Sequence, residues 1–303
     1  MNQPASLPLV ESLLDAPLPP SGIAWLDAAR RENLDAFAAG GLPDTRVEAW
    51  KYTALRALGQ RRFVAADASA AEVEVDRAGV TLPGVDGPRL VFVNGVFRAA
   101  LSDLDQLPKG LSLQPLSRAL AGDAEPLRFS LSRHYRGPGD AFARINAARA
   151  CDGVVLRVAT GARITRPVQV VFVGAAHEAD LAWHLRNVIE VGEGAELALV
   201  EQHLASGAPT QLATVVTDIE VRTGARLQHT VLQNASAAAH LIRHTGLRLQ
   251  AQAQASVHVL ELGGALVRHD FKVELVGDGA QLHTRGVFMP HGRQHIDTQL
   301  AIR

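Results

Sequence analysis

From Val154 onward the chain runs in short β-branched stretches with period-two alternation, as in Asn187-Val-Ile-Glu-Val and Thr217-Asp-Ile-Glu-Val-Arg. Such alternation turns one strand face toward a core and the other toward water. A phrase recurs after these runs: glycine, alanine, a polar residue, then an apolar one. Its copies are Gly161-Ala-Arg-Ile, Gly194-Ala-Glu-Leu, Gly224-Ala-Arg-Leu and Gly279-Ala-Gln-Leu, with a degenerate copy at Gln254-Ala-Ser-Val. The alanines Ala162, Ala195, Ala225, Ala255 and Ala280 are spaced 33, 30, 30 and 25 residues apart. Unbroken by helical segments, this repeat predicts stacked coils of a β-solenoid over residues 151–303, incomplete at its C-terminal end. In a coil, glycine supplies the corner dihedrals and alanine is small enough to tuck under the next coil.

Residues 1–150 follow other rules and predict a helical and mixed α+β region. Ile23, Leu26, Leu34 and Phe37 fall at helical spacing behind Ser21, a candidate N-cap, and predict a helix over about 21–39 closed by Gly40-Gly41. Between Pro43 and Leu58 a short helical or 3₁₀ turn is expected, with Trp50 and Tyr52 as docking aromatics. Arg89-Leu-Val-Phe-Val reads as a strand, and Asn94-Gly95 as the hairpin turn that follows it. Helices return over about 115–150, with Phe142, Ile145 and Asn146 on a segment closed by Asp152-Gly153.

Composition narrows the function classes. With 30 Lys plus Arg against 31 Asp plus Glu among 303 residues, the net charge is -1, and no half is basic enough to attract nucleic acid. The single cysteine, Cys151, excludes a disulfide framework or a CxxC site within one chain, suits a reducing cytosol, and is expected to be a small buried residue. The N-terminal stretch has no basic segment, contains prolines and carries Glu11 and Asp15, unlike a secretory signal. No apolar run reaches the roughly 20 residues that span a bilayer. A soluble cytoplasmic protein without membrane contact is expected.

The chain carries no GxGxxG opening a helix, no GxxxxGK[ST], no GxSxG and no HExxH. Its densest group of metal-ligating residues is His283, His291, His295 and Asp297, which could together take Zn²⁺ or Fe²⁺ as a small metal-binding β protein would. The simpler reading is ordinary polar residues on the wet faces and corners of the coils. His229, His240, His244, His258 and His269, spread over successive coils, could stack into a column, but structural histidines are the simpler reading. A β-helical carbohydrate-active enzyme would need clustered carboxylates, for which Asp218, Glu220 and Glu261 are candidates. No catalytic residue is assigned.

Four phrases together resemble a known family: Glu48-Ala-Trp-Lys-Tyr-Thr-Ala-Leu, Phe142-Ala-Arg-Ile-Asn-Ala-Ala, Arg268-His-Asp-Phe-Lys-Val-Glu-Leu-Val-Gly-Asp-Gly-Ala and His295-Ile-Asp-Thr. The chain resembles the SufB/SufD family of the SUF iron-sulfur cluster assembly machinery, and its Trp-Lys-Tyr-Thr phrase and lone cysteine favour the SufD side. The resemblance implies a right-handed parallel β-helix behind a helical N-terminal region. It implies a non-catalytic scaffold, working with a SufB-type paralogue and a SufC-type ATPase, in a complex that handles an iron-sulfur cluster transiently. No cofactor would be bound by this chain alone. Family members continue beyond the His-x-Asp-Thr phrase, where the family's cluster-associated histidine and most of its ATPase-docking surface would lie. No residue here inherits either role. A final coil with nothing stacked on it is expected to expose apolar surface and to favour self-association, with a homodimer as one outcome.

Overall fold

The computed structural model describes residues 7–303. The reading of the N-terminus as no secretory signal falls in part on residues 1–6, outside the described residues. Helices α1 (Pro8–Asp15) and α2 (Ala24–Gly40) lead into a 3₁₀ turn (Glu48–Trp50), α3 (Arg56–Gly59) and the two-residue strand β1 (Val64–Ala65). Strands β2 (Arg89–Val93), β3 (Val96–Phe97) and β4 (Leu111–Pro115) follow, then helices α4 (Leu116–Ala121), α5 (Arg128–Leu131) and α6 (Ala141–Arg149). The rest is strand: β5 (Val154–Val158), β6 (Val168–Ala175), β7 (Leu181–Val191), β8 (Glu196–Ser206), β9 (Gln211–Val221), β10 (Arg226–Asn234), β11 (His240–Leu249), β12 (Gln254–Glu261), β13 (Leu266–Leu275), β14 (Gln281–Phe288) and β15 (His295–Ile302).

These strands form two facing sheets, and each coil contributes one strand to each. The eight-stranded sheet has the order β15-β13-β11-β9-β7-β5-β4, with β1 added beside β7, and the seven-stranded sheet the order β14-β12-β10-β8-β6-β2-β3. Every pair from β5 to β15 is parallel. This is a parallel β-solenoid, with two long strands per coil where several short ones were expected. Pairing also runs across residue 150, because β2 joins β6 in parallel and β4 joins β5 antiparallel. Leu185, Val215, Leu247, Leu199, Leu227 and Val257 belong to the apolar core between the sheets.

The repeated phrase is the corner between an eight-stranded-sheet strand and the next seven-stranded-sheet strand. Gly161, Gly194, Gly224 and Gly279 there have φ of 68, 62, 67 and 73°, left-handed values that cost a glycine nothing. Corner N–H groups donate up the stack, from Gly194 to Thr223 O (2.9 Å) and from Gly224 to Ala251 O (2.9 Å). Ala195 and Ala225 behind them have no exposed surface. The degenerate copy needs correction. Arg226 pairs with Gln254, so the equivalent of Gly224-Ala225 is Gln252-Ala253, two residues before the phrase at Gln254. Gln252 takes the corner dihedral, φ 58°, without being glycine.

The N-terminal region differs in detail from its sequence pattern. Helix α2 starts at Ala24, later than Ser21, whose hydroxyl donates to Asp27 Oδ1 (2.7 Å) and accepts from the Ile23 N–H (3.1 Å). Gly41 closes α2 as expected, its N–H reaching Phe37 O. Helix α1, too short and proline-flanked to stand out in the sequence, buries Leu9, Val10 and Leu13. Asn94-Gly95 does turn β2 into β3, both residues at positive φ, and the Asn94 side chain bridges Ala70 O to the Ala175 N–H. Helix α6 ends at Arg149, before Asp152-Gly153. Asp152 instead accepts from the Ser117 N–H and hydroxyl, 3.0 Å each, anchoring the start of α4. Cys151, expected to be buried, is exposed, because the chain is crossing from α6 to β5 there.

Candidate functional site at the motif junction

The four phrases singled out in the sequence meet at one point, on the outer face of the eight-stranded sheet. Trp50, on the 3₁₀ turn, is 1% exposed, and its indole lies 5.5 Å from the Phe142 ring of α6 and donates to Gly139 O (3.0 Å). Over the indole, at 4.0 Å, sits the guanidinium of Arg268 from β13, which has no exposed surface. Arg268 donates to Asp297 of β15, to Asp270 Oδ1 (2.7 Å), to Ala49 O (2.6 Å) and to Thr53 Oγ1 (3.3 Å). The Thr53 hydroxyl donates to Asp297 in turn. Burial pushes the Asp270 carboxyl above its ordinary value, against the pull of Arg268. A planar, permanently charged fork that donates through both terminal nitrogens and is covered by an aromatic face suits this environment as lysine would not. From the same phrases, Asn146 of α6 donates through Nδ2 to Leu185 O, Thr214 O and Thr214 Oγ1, pinning α6 to β7 and β9. Tyr52, expected to dock, is 72% exposed: the 3₁₀ turn buries Trp50 and leaves its neighbours Lys51 and Tyr52 in solvent.

The four metal candidates are not brought together. Asp297 is engaged by Arg268 and Thr53, and His295 Nε2 lies 3.5 Å from Thr53 Oγ1. His283 is exposed on β14, in the other sheet, and His291 is exposed in the loop between β14 and β15. Among the described residues, no three or more His, Cys, Asp or Glu side chains are placed to hold a metal ion. The carboxylates of the carbohydrate reading separate as well. Asp218 and Glu220 line a groove of about 470 Å³ beside α5, but Asp218 is held by Arg133 (2.9 Å) and Arg186 (3.0 Å), and Glu220 accepts from Gln250. Glu261 lies inside the solenoid, paired with Arg243. No acid/base pair results.

The histidines do not form a column either. His240 and His244 face outward beneath the N-terminal region, against Phe63 and Tyr135, and burial holds them down to about 4 and about 3. His184, which the sequence did not single out, is likewise lowered to about 3 by burial, and its Nδ1 lies 2.8 Å from Thr214 Oγ1. His258 is half-buried on the seven-stranded sheet, while His229 and His269 point between the sheets.

Comparison with known proteins settles the lineage. The family model described as "SufBD protein N-terminal region" matches residues 18–170, and "SUF system FeS cluster assembly, SufBD core domain" matches residues 172–303. The chain belongs to the SufBD family. The iron-sulfur cluster assembly protein SufD of Escherichia coli (strain K12) is 27% identical over 276 residues, 89% of this chain and 60% of that protein. An iron-sulfur cluster assembly SufBD family protein of Synechocystis is 25% identical over 284 residues, 90% of this chain and 62% of that protein. The chain therefore spans about 60% of the length of these SufBD relatives. Among the described residues no helix is long and apolar enough to cross a membrane.

Proposed function

We propose that this SufBD-family chain is a SufD-type, non-catalytic scaffold subunit of a cytoplasmic SufB–SufC–SufD complex in iron-sulfur cluster assembly. A SufC-type ATPase drives that complex, and the cluster passes through it as cargo, not as a cofactor resident in this chain. The observation that carries the reading is the family match through both regions, residues 18–170 and 172–303, joined to a relative named SufD. The physical design agrees with a scaffold. The stacked parallel strands and the buried Arg268 junction spend their chemistry on holding two regions in fixed relation, and the candidate catalytic carboxylates are engaged in internal ion pairs and hydrogen bonds.

The test is made in the cell that produces the protein. A tagged copy should co-purify with SufB-type and SufC-type proteins, and deleting its gene should lower the activity of iron-sulfur enzymes under iron limitation. Purification without either partner, with iron-sulfur enzymes at their ordinary level in the deletion strain, overturns the proposal.

A further inference from the structure

The interior of the solenoid is not apolar throughout. On β8, Leu197 and Leu199 face the core, and the next residues of the same parity are Glu201 and His203, which are 5% and 2% exposed. His229 on β10 and Glu261 on β12 point into the same space from the seven-stranded sheet. Arg243 and Thr245 on β11 and His269 on β13 point in from the facing sheet. Each oxygen of the Glu201 carboxylate meets one imidazole: Oε1 lies 2.6 Å from His203 Nε2 and Oε2 lies 3.1 Å from His229 Nε2. Glu261 is paired with Arg243, and His269 Nε2 lies 3.0 Å from Thr245 Oγ1. Among the described residues, buried His203 Nδ1, His269 Nδ1, Glu261 Oε2, Arg243 Nε and Gln233 Nε2 meet no hydrogen-bond partner.

Charge balance decides what this cluster holds. Two carboxylates, Glu201 and Glu261, face one guanidinium, Arg243, which is already committed to Glu261. If every imidazole were neutral, Glu201 would be an uncompensated anion in a closed interior, a state proteins avoid by taking up a proton. Because each Glu201 oxygen faces an imidazole Nε2, the carboxylate can take a hydrogen bond from both rings as the anion, and the proton then belongs on an imidazole. We propose that Glu201, His203 and His229 form a buried proton-binding site that carries one excess proton at neutral pH, shared as a unit. Burial would raise the Glu201 carboxyl, but the hydrogen bonds from His203 and His229 outweigh it and hold the group well below the carboxylate range. His269 stays outside the unit, because burial and Arg243 hold it well below the imidazole range. Burial lowers His203 taken by itself, against the pull of Glu201, and the proton is held only through the contact of both rings with one carboxylate.

The sign of the linkage follows. Unfolded imidazoles titrate near ~6.5, so between about pH 7 and 8 the unfolded chain has given up a proton that the folded triad keeps. Unfolding then releases a proton, and stability falls as pH rises. The experiment measures urea unfolding of the full chain across that range, beside Glu201→Gln, which removes the anion and leaves Cys151 and the other histidines unchanged. The unfolding constant of the wild type should rise by up to about tenfold more than that of the variant. Equal pH dependence overturns the proposal. Should Glu201→Gln not fold, ¹⁵N-histidine spectra of the wild type decide alone. A buried imidazolium persisting above neutral pH supports the site, and neutral tautomers at every histidine at pH 7 overturn it.

Discussion

Replacing Arg268 with alanine probes the contact on which the motif junction depends. The change leaves Asp270 and Asp297, whose side chains are 19% and 12% exposed, without their cation, and strips Ala49 O of a donor. Removing one partner of a buried ion pair costs roughly 3–5 kcal/mol, and the lost stacking on Trp50 adds on the order of 1 kcal/mol. Because both carboxylates keep some access to water, the low end applies, and a loss of about 3–4 kcal/mol is expected. The deficit also has a pH signature. Asp270 is already raised by burial, and without Arg268 it rises further. A carboxyl raised in the folded state binds its proton more tightly folded than unfolded, so acid stabilises the variant relative to wild type. The stability difference measured by urea denaturation should therefore shrink as pH falls from about 7.5 toward the ordinary carboxylate range near ~4, and Arg268→Ala/Asp297→Asn should recover part of it. Intrinsic fluorescence reports the transition, because Trp50 is in the perturbed contact. A deficit below about 0.5 kcal/mol, or one independent of pH, would refute the claim that this buried charge holds the N-terminal region to the solenoid.

Other outcomes follow from single features. His184, His240 and His244, held at about 3, 4 and 3, stay neutral in the fold while their unfolded counterparts bind protons below ~6.5. Stability should fall on acidification by up to about 1.4 kcal/mol per pH unit for each of them, read from chemical denaturation between about pH 6 and 4.5. Gly224→Ala should destabilise by on the order of 1 kcal/mol through its dihedral alone, since the added Cβ meets open space, whereas Ala225→Leu should cost about 1–3 kcal/mol by overpacking a fully buried corner. Asn146→Ala should cost about 1–3 kcal/mol and speed amide exchange along α6, because it removes the side-chain hydrogen bonds that tie α6 to β7 and β9. His283→Ala with His291→Ala should leave zinc binding, measured by calorimetry, unchanged, since the two residues lie apart and exposed.

The solenoid was legible because its signals are local. A period-two strand and a corner glycine each declare themselves within a few residues, and four of the corners kept their glycine. The fifth slipped because Gln252 carries the left-handed dihedral with an ordinary side chain, so the alanine after it had nothing to mark it and a later alanine took its place. The junction was visible only as four separate phrases. Nothing in the spacing of Trp50, Asn146, Arg268 and Asp297 says that coil stacking brings β13 and β15 side by side, or that the 3₁₀ turn lies across them. Tyr52 departs from its sequence expectation for a related reason: aromatic content alone does not tell which ring of a short turn faces inward.

The interior cluster is legible in the sequence through parity. Parity counted from the corner alanines fixes which side chains enter the core. From Ala195 the inward positions are Leu197, Leu199, Glu201 and His203; from Ala225 they are Leu227, His229, Val231 and Gln233; from Ala253 they are Ala255, Val257, Val259 and Glu261. Charged residues on the inward parity of otherwise apolar strands are a signal that needs no structure, only the right corner. The same count on β11 puts Arg243 inside and His240 and His244 outside, which separates histidines that spacing alone had grouped together. Alternation stops meaning wet against dry once both faces of a strand are covered, and in this solenoid the N-terminal region covers the outer face of β7, β9 and β11. Polar residues under that cover answer to hydrogen bonding with α6 and the loops, whereas the inward Glu201, His203 and His229 have one another as hydrogen-bond partners. That difference is why the inward Glu201, His203 and His229 must settle their charge among themselves.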